Sequence, residues 1–306
     1  MNIPKISHFI RGALMGVADT IPGISGGTIA MIVGVYERLV TAISHCDTQT
    51  FSLVLSGKWK EAAARIDLLF MVTLVAGVVF GIVTSTVPVL HLLENHLPVT
   101  FAAFTGLILG SVWILFRRIP KHTFVTTLSL VLGAVAAWGI VSLNTMSGST
   151  HLGYVFLCGM IAICAMILPG ISGSYVLLLL GEYAYIIEKV RNVVHLKTNL
   201  NELTVLVVFA CGCVIGLVSF AKLLRWLLKH FHNQTMAVMC GFMLGSLKCL
   251  WPFQKMLEVA GKKEFVALPS EAITPMLVGH VAVALVGGLA LIFVLEYLAS
   301  KLSSHS

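Results

Sequence analysis

Charged side chains are scarce in this chain. Asp, Glu, Lys and Arg together make up 11% of its 306 residues, against about 25% in a soluble domain. The hydrophobic fraction is 58% and the mean hydropathy +0.97. Those values exclude a soluble multi-domain protein and point to a polytopic membrane protein. Acid is the scarcer charge, with 13 Asp and Glu against 20 Lys and Arg, leaving a formal charge of +7. The basic residues are scattered between apolar spans, which argues against nucleic acid as a partner. Loop placement explains the excess, and membrane lipids with anionic headgroups would be attracted to it.

Other absences narrow the function. There is no P-loop, no HExxH and no nucleophile–base–acid set, so an enzyme is not expected. Cys211-x-Cys213 suits neither a zinc pair nor a redox pair, and the other cysteines lie in or beside apolar segments. No metal and no cofactor is therefore expected. A cleavable signal peptide is not expected either, because the first apolar stretch carries Arg11 and Asp19 and lacks a small-residue cleavage site.

What is present is a repeat. Residues 11–40 read RGALMGVADTIPGISGGTIAMIVGVYERLV, and 158–190 read CGMIAICAMILPGISGSYVLLLLGEYAYIIEKV. A shift of 147 aligns Gly12, Ala18, Pro22 to Gly26, Gly34 and Tyr36 with identical residues. Residues 77–111 align with 212–246 at a shift of 135, matching Gly77, Gly81, Thr100, Ala102, Gly106, Gly110 and Ser111. Nearly the whole chain is thus one unit used twice. The first copy covers 1–148 and the second 149–306.

Each copy has three segments near the roughly 20 apolar residues that cross a bilayer. They are 68–92, 99–116 and 123–143, then 204–228, 235–251 and 275–298. Each copy also has an apolar stretch broken at its Pro-Gly-Ile-Ser-Gly, 8–40 and 152–188. Pro22 and Pro169 cannot continue a helix, and the adjoining glycines favour a turn. The short flanks suit a re-entrant hairpin, although full spans stay open. Either way the count between copies is odd, so the second copy should be inserted upside down. The expected fold is an all-α polytopic membrane protein of two inverted-topology repeats. Basic loops after the first hairpin and at 117–121 place both termini in the cytoplasm. Lys189, Arg191, Lys197, Lys255, Lys262 and Lys263 run against that bias. Residues 44–64 read as an interfacial amphipathic helix.

An apolar helix broken at matching places in two halves marks a transporter binding site. The helix restarting near Ser25 would aim free N–H groups and its positive end at the break. Gly26 and Gly27 allow close backbone approach; Ser25 and Thr28 add hydroxyls. The second copy offers Gly170, Ser172, Gly173 and Ser174. Two such ends meeting near mid-membrane suit a phosphate or carboxylate. Arg11 would clamp a phosphate or else snorkel to the interface. Asp19, beside the break and aligned with Met166, would carry a coupling proton or sodium ion, cap the turn, or pair with Arg11. Glu37 and Glu182 are further coupling or gating candidates. His280, alone in an apolar span, is expected to bond a neighbour. The paired glycines at 77/81 and 106/110, with their copies, read as close helix packing.

The string from Arg11 to Val40, the second Pro-Gly-Ile-Ser-Gly and the repeat layout closely resemble the PopT-type polyprenyl-phosphate transporters, a bacterial membrane family formerly known only as a domain of unknown function. Gly12, Met15, Gly16, Asp19, Pro22, Gly23, Ser25, Gly26, Gly27, Thr28, Gly34, Tyr36 and Glu37 fit that motif. The resemblance implies a flippase in the bacterial inner membrane. It would return undecaprenyl phosphate to the cytoplasmic leaflet for cell-wall and surface-polysaccharide synthesis. The residues alone leave a transporter or channel for a small soluble anion as the alternative.

Overall fold

The computed structural model describes residues 3–21, 25–195, 197, 199–259 and 262–303. Pro22, Gly23 and Ile24, inside the first break, lie outside the described residues. The chain is an all-α polytopic membrane protein, and among the described residues five helices are long and apolar enough to span a bilayer.

The first copy opens with α1 (Ile3–Asp19), the short α2 (Gly26–Ile32) and α3 (Tyr36–Ser44). Gly34 turns the chain between α2 and α3 with φ of +71°, a region that glycine enters without steric cost. The two helices meet at 118°. Next come α4 (Thr48–Leu55) and α5 (Trp59–Arg65), separated at Gly57 with φ of +73°. The expected single interfacial helix at 44–64 is therefore two short ones. Phe51, Leu55 and Trp59 are exposed on them. Three long helices follow: α6 (Leu68–Asn95), α7 (Leu97–Arg117) and α8 (Phe124–Val141).

Residues 149–306 follow a similar order without counterparts of α4 and α5. They form α9 (Leu152–Ile167), α10 (Gly173–Leu179), α11 (Tyr183–Val194), α12 (Leu200–His230), α13 (His232–Gly245) and α14 (Pro275–Ser303). The span expected at 235–251 falls on α13, a helix of 14 residues, followed by a 3-10 turn over Ser246–Leu250. At about 1.5 Å per α residue and about 2 Å per 3-10 residue, the pair reaches roughly 30 Å. One departure from pure helix lies between α13 and α14. There β1 (Gln254–Val259) and β2 (Lys262–Ala267) pair antiparallel.

The long helices are built for lipid. On α6, Val75, Val79, Val83 and Val87 form an exposed stripe at helical spacing, while Leu74, Gly77, Gly81 and Ser85 are buried. The buried face mixes large residues at its ends, such as Phe70 and Leu93, with Gly77, Gly81 and Ser85 in the middle, where helices approach closely.

The small groups set the helix pairing. A Cβ on Gly77 or Gly81 would strike the carbonyl oxygens of Phe9 and Ala13 on α1. One on Gly212 or Gly216 would strike Phe156 and Met160 on α9, which are Phe9 and Ala13 shifted by 147. The third spans cross over. Gly106 of α7 abuts Leu285 of α14, and Gly241 of α13 abuts Leu130 of α8. Gly288 abuts Ala103, and Gly133 abuts Val238. These pairs are reciprocal once α14 is aligned with α8 at a shift of 155. Thus α7 packs against α14, and α8 against α13.

Candidate functional site

The two breaks touch. Gly170, in the second break, donates its N–H to Thr28 Oγ1 on α2 at 2.9 Å. The Tyr36 hydroxyl donates to the Ile167 carbonyl at 3.0 Å, and the Ser25 hydroxyl to the Met166 carbonyl at 3.3 Å. Both carbonyls belong to the last turn of α9, which has no further helical N–H to meet. Ser25, Thr28 and Tyr36 are buried. In a membrane every backbone polar group needs such a partner. Side chains of the first copy thus satisfy the backbone opened in the second. A Cβ on Gly27 would lie 2.8 Å from the Ile167 oxygen, so only glycine admits this approach.

The start of α2 already holds an acidic side chain. Asp19 Oδ1 accepts the Gly26 N–H at 2.6 Å, and Ser25 Oγ accepts the Gly27 N–H at 3.1 Å. A Cβ on Gly26 would sit 2.6 Å from Asp19 Oδ2. Of the roles open to Asp19, capping is the one the geometry realises. The start of α10 differs, because Met166 replaces Asp19 there. Ser172 makes no side-chain cap, and its hydroxyl lies 2.8 Å from that of Ser174. Ser174 and Met166 are exposed. Gly170 adopts φ of +86°, and a Cβ there would lie 2.8 Å from the Phe242 oxygen on α13. The second break is thus wedged between α2 and α13.

The remaining expected residues are dispersed. Arg11 lies two turns before Asp19, about 12 Å along α1, and makes no hydrogen bond or ion pair among the described residues. Glu37 starts α3 and lies 3.0 Å from His232 Nε2, largely exposed. It lines an open depression of about 370 Å³ with Arg38, His45, Arg65 and Asp67. There Arg38 pairs with Asp67 at 2.6 Å and covers the Phe70 ring. Arg225 of α12 reaches His45 Nε2 at 2.6 Å. Glu182 is buried behind the turn joining α10 to α11. His280 is exposed and makes no hydrogen bond among the described residues. Sequence reasoning did not give Tyr36 a place at the break, although the repeated Gly-x-Tyr after each break was its signal.

Apolar spans surrounding two contacting breaks define a multi-pass membrane protein. Residues 15–266 match the model of the VCA0040-like, undecaprenyl phosphate translocase-like family. The chain belongs to that family. It is 38% identical over 253 residues to a polyprenyl-phosphate transporter of Vibrio cholerae, covering 83% of this chain and 80% of that protein. It is 30% identical over 261 residues to a polyprenyl-phosphate transporter of Staphylococcus aureus, covering 81% and 87%. No solved structure matches the chain.

Proposed function

We propose that the protein moves a polyprenyl phosphate, undecaprenyl phosphate in the bacterial inner membrane, from the outer to the cytoplasmic leaflet, where it is reused for cell-wall and surface-polysaccharide synthesis. The observation that carries this reading is the pair of contacting breaks, one with a carboxylate seated on its backbone N–H and the other exposed at Met166 and Ser174. The phosphate takes the place of the Asp19 carboxylate on Gly26 and Gly27, and the Ser172 and Ser174 hydroxyls meet it from the second break. Gly170 and Gly173 keep that approach free of side chains, Thr28 holds the breaks together, and Arg11 supplies positive charge on the way in. The exposed edge at Met166 and Ser174 leaves the isoprenoid tail in lipid, which a soluble anion would not require.

The reciprocal pairing of α7 with α14 and α13 with α8 supports two inverted repeats, with the breaks meeting near mid-membrane from opposite faces. Two like charges do not share one N–H, so loading requires Asp19 to leave or to be neutralised by a proton or sodium ion. Coupling is assigned to Asp19, with Glu37 beside His232 as a gating contact at the depression. The test is flipping of a fluorescent short-chain polyprenyl phosphate in liposomes under imposed pH or sodium gradients. Wild type should respond to one gradient, and Asp19→Asn should lose that response while still equilibrating the probe. Flipping of a small soluble phosphate instead would favour the anion-channel alternative.

A further inference from the structure

The second break carries hydroxyls but no charge of its own. Met166 stands where the first break has Asp19, and the Ser172 and Ser174 hydroxyls lie 2.8 Å apart. Two hydroxyls leave the charge of a phosphate uncompensated beside apolar spans, so a phosphate held there needs a cation within reach. Arg11 stands on α1, ahead of the first break.

Lys248 meets that need. It is exposed on the 3-10 turn that follows α13. That helix begins at His232, beside Glu37 and the depression, so Lys248 lies about 25 Å away at its far end. The turn is seated on the end of α8, where a Cβ on Gly245 would lie 2.8 Å from the Trp138 nitrogen. The Lys248 ammonium donates to Ser142 Oγ at 2.6 Å and lies 4.9 Å from the centre of the Trp138 ring. The neighbouring Val141 carbonyl accepts the Tyr175 hydroxyl at 3.0 Å. Tyr175 follows Ser174 on α10, and Ile171 and Val176 pack with Ala137 and Ile140 of α8. One helix end thus brings the ammonium and the second break together. Arg38, Arg65, Arg118 and Lys189 each pair with an acid. Among the described residues Lys248 pairs with none. The residue aligned with it at the shift of 135 is Trp113, so an uncharged side chain suffices for the fold at this position.

We propose that Lys248 is the cation that receives the lipid phosphate at the second break and passes it to the Ser172 and Ser174 hydroxyls. An ammonium on a four-carbon stem is a mobile point charge with three donors. Its partners, one hydroxyl and one ring face, leave that charge uncompensated, so an anionic headgroup displaces them without breaking an ion pair. Trp138 steadies the stem while the ammonium turns to the phosphate. A neutral isoprenoid alcohol offers this charge nothing, so Lys248 also sets a preference for the phosphorylated lipid. The inference deepens the reading of the breaks as the headgroup site and rests on it.

The test uses the full chain in liposomes and the fluorescent short-chain polyprenyl phosphate. Lys248→Gln should raise the probe concentration for half-maximal flipping by about tenfold, the worth of a hydrogen bond to a charged group. Its maximal rate should stay, and Lys248→Arg should match wild type. Raising the ionic strength should weaken wild type towards the variant and leave the variant little changed. Lys255→Gln, which removes an exposed charge from β1, is the control for general surface attraction and should behave as wild type. An unchanged half-saturation in Lys248→Gln, or an equal loss in Lys255→Gln, overturns the proposal. A second measurement needs no variant: amine acetylation of wild type, read by mass spectrometry. The probe should protect Lys248 and leave Lys255 reactive, while the matching polyprenol and inorganic phosphate at the same concentration should protect neither. No protection by the probe, or equal protection by the polyprenol or by inorganic phosphate, also overturns it. If wild type does not flip the probe, the transport reading fails, while acetylation still decides whether Lys248 holds the lipid phosphate.

Discussion

Replacing Thr28 by Val removes one oxygen from the joint between the breaks and keeps the shape of the side chain. Thr28 Oγ1 is the acceptor for the Gly170 N–H, and both residues are buried. Met243 and Phe242 close in on Gly170 from α13, so water does not replace the lost acceptor. Leaving a buried N–H unpaired costs about 1–3 kcal/mol. Side-chain bonds between membrane helices average only about 0.6 kcal/mol, because the separated state finds other partners. The fixed left-handed turn at Gly170 restricts such alternatives, which places the expected cost at about 1–2 kcal/mol. That is a factor of about 5–30 in the opening equilibrium. Hydrogen exchange of a peptide covering 168–172, in detergent or nanodiscs, reads it directly. Thr28→Val should exchange faster by that factor, and Thr28→Ser, which keeps the oxygen, should match wild type. Identical exchange in all three would refute the claim that the first copy satisfies the backbone of the second.

Three further outcomes follow from the same contacts. Gly26→Val places a side chain where Asp19 Oδ2 now lies 2.6 Å from the added Cβ, and should abolish binding of a polyprenyl phosphate while leaving the protein folded; retained affinity removes Gly26 from the site. Gly81→Val drives a side chain into the Ala13 carbonyl between α1 and α6, and overpacking of this kind costs about 1–3 kcal/mol; an unchanged Tm in detergent would contradict the pairing. Burial raises the carboxyl pKa of Asp47, but the Thr50 N–H and Arg65 outweigh it and hold the group below the usual carboxylate range. Its contribution is therefore present at neutral pH and lost as pH falls through the lowered value. Exchange at the start of α4 should rise on acidification in wild type and be already fast at neutral pH in Asp47→Ala.

The broken helices and the glycine pairs were legible because they are local patterns. Pro-Gly-Ile-Ser-Gly stops a helix wherever it stands, and glycines four apart let backbones touch. The exchange of third spans was not legible. Gly133 and Gly288 are equivalent, but they lie in apolar sequence with few other identities, and the β1–β2 segment lengthens the second copy before α14. Sequence placed Asp19 beside the break without deciding its role, since capping depends on the angle at which α1 meets α2. Arg11 looked close in sequence but stands two turns away. Glu182 stood out as an acid after an apolar helix; its bond to the Ser149 N–H comes from a distant loop, which no local pattern encodes.

The central claim is that the paired breaks hold the phosphate. An experimental structure of the protein with undecaprenyl phosphate bound tests it most directly. The account predicts the phosphate within hydrogen-bond reach of the Gly26 N–H and the Ser172 and Ser174 hydroxyls, with Asp19 displaced from Gly26. A phosphate seated instead in the depression lined by Arg38, His45 and Arg65, with Asp19 still on Gly26, would contradict it.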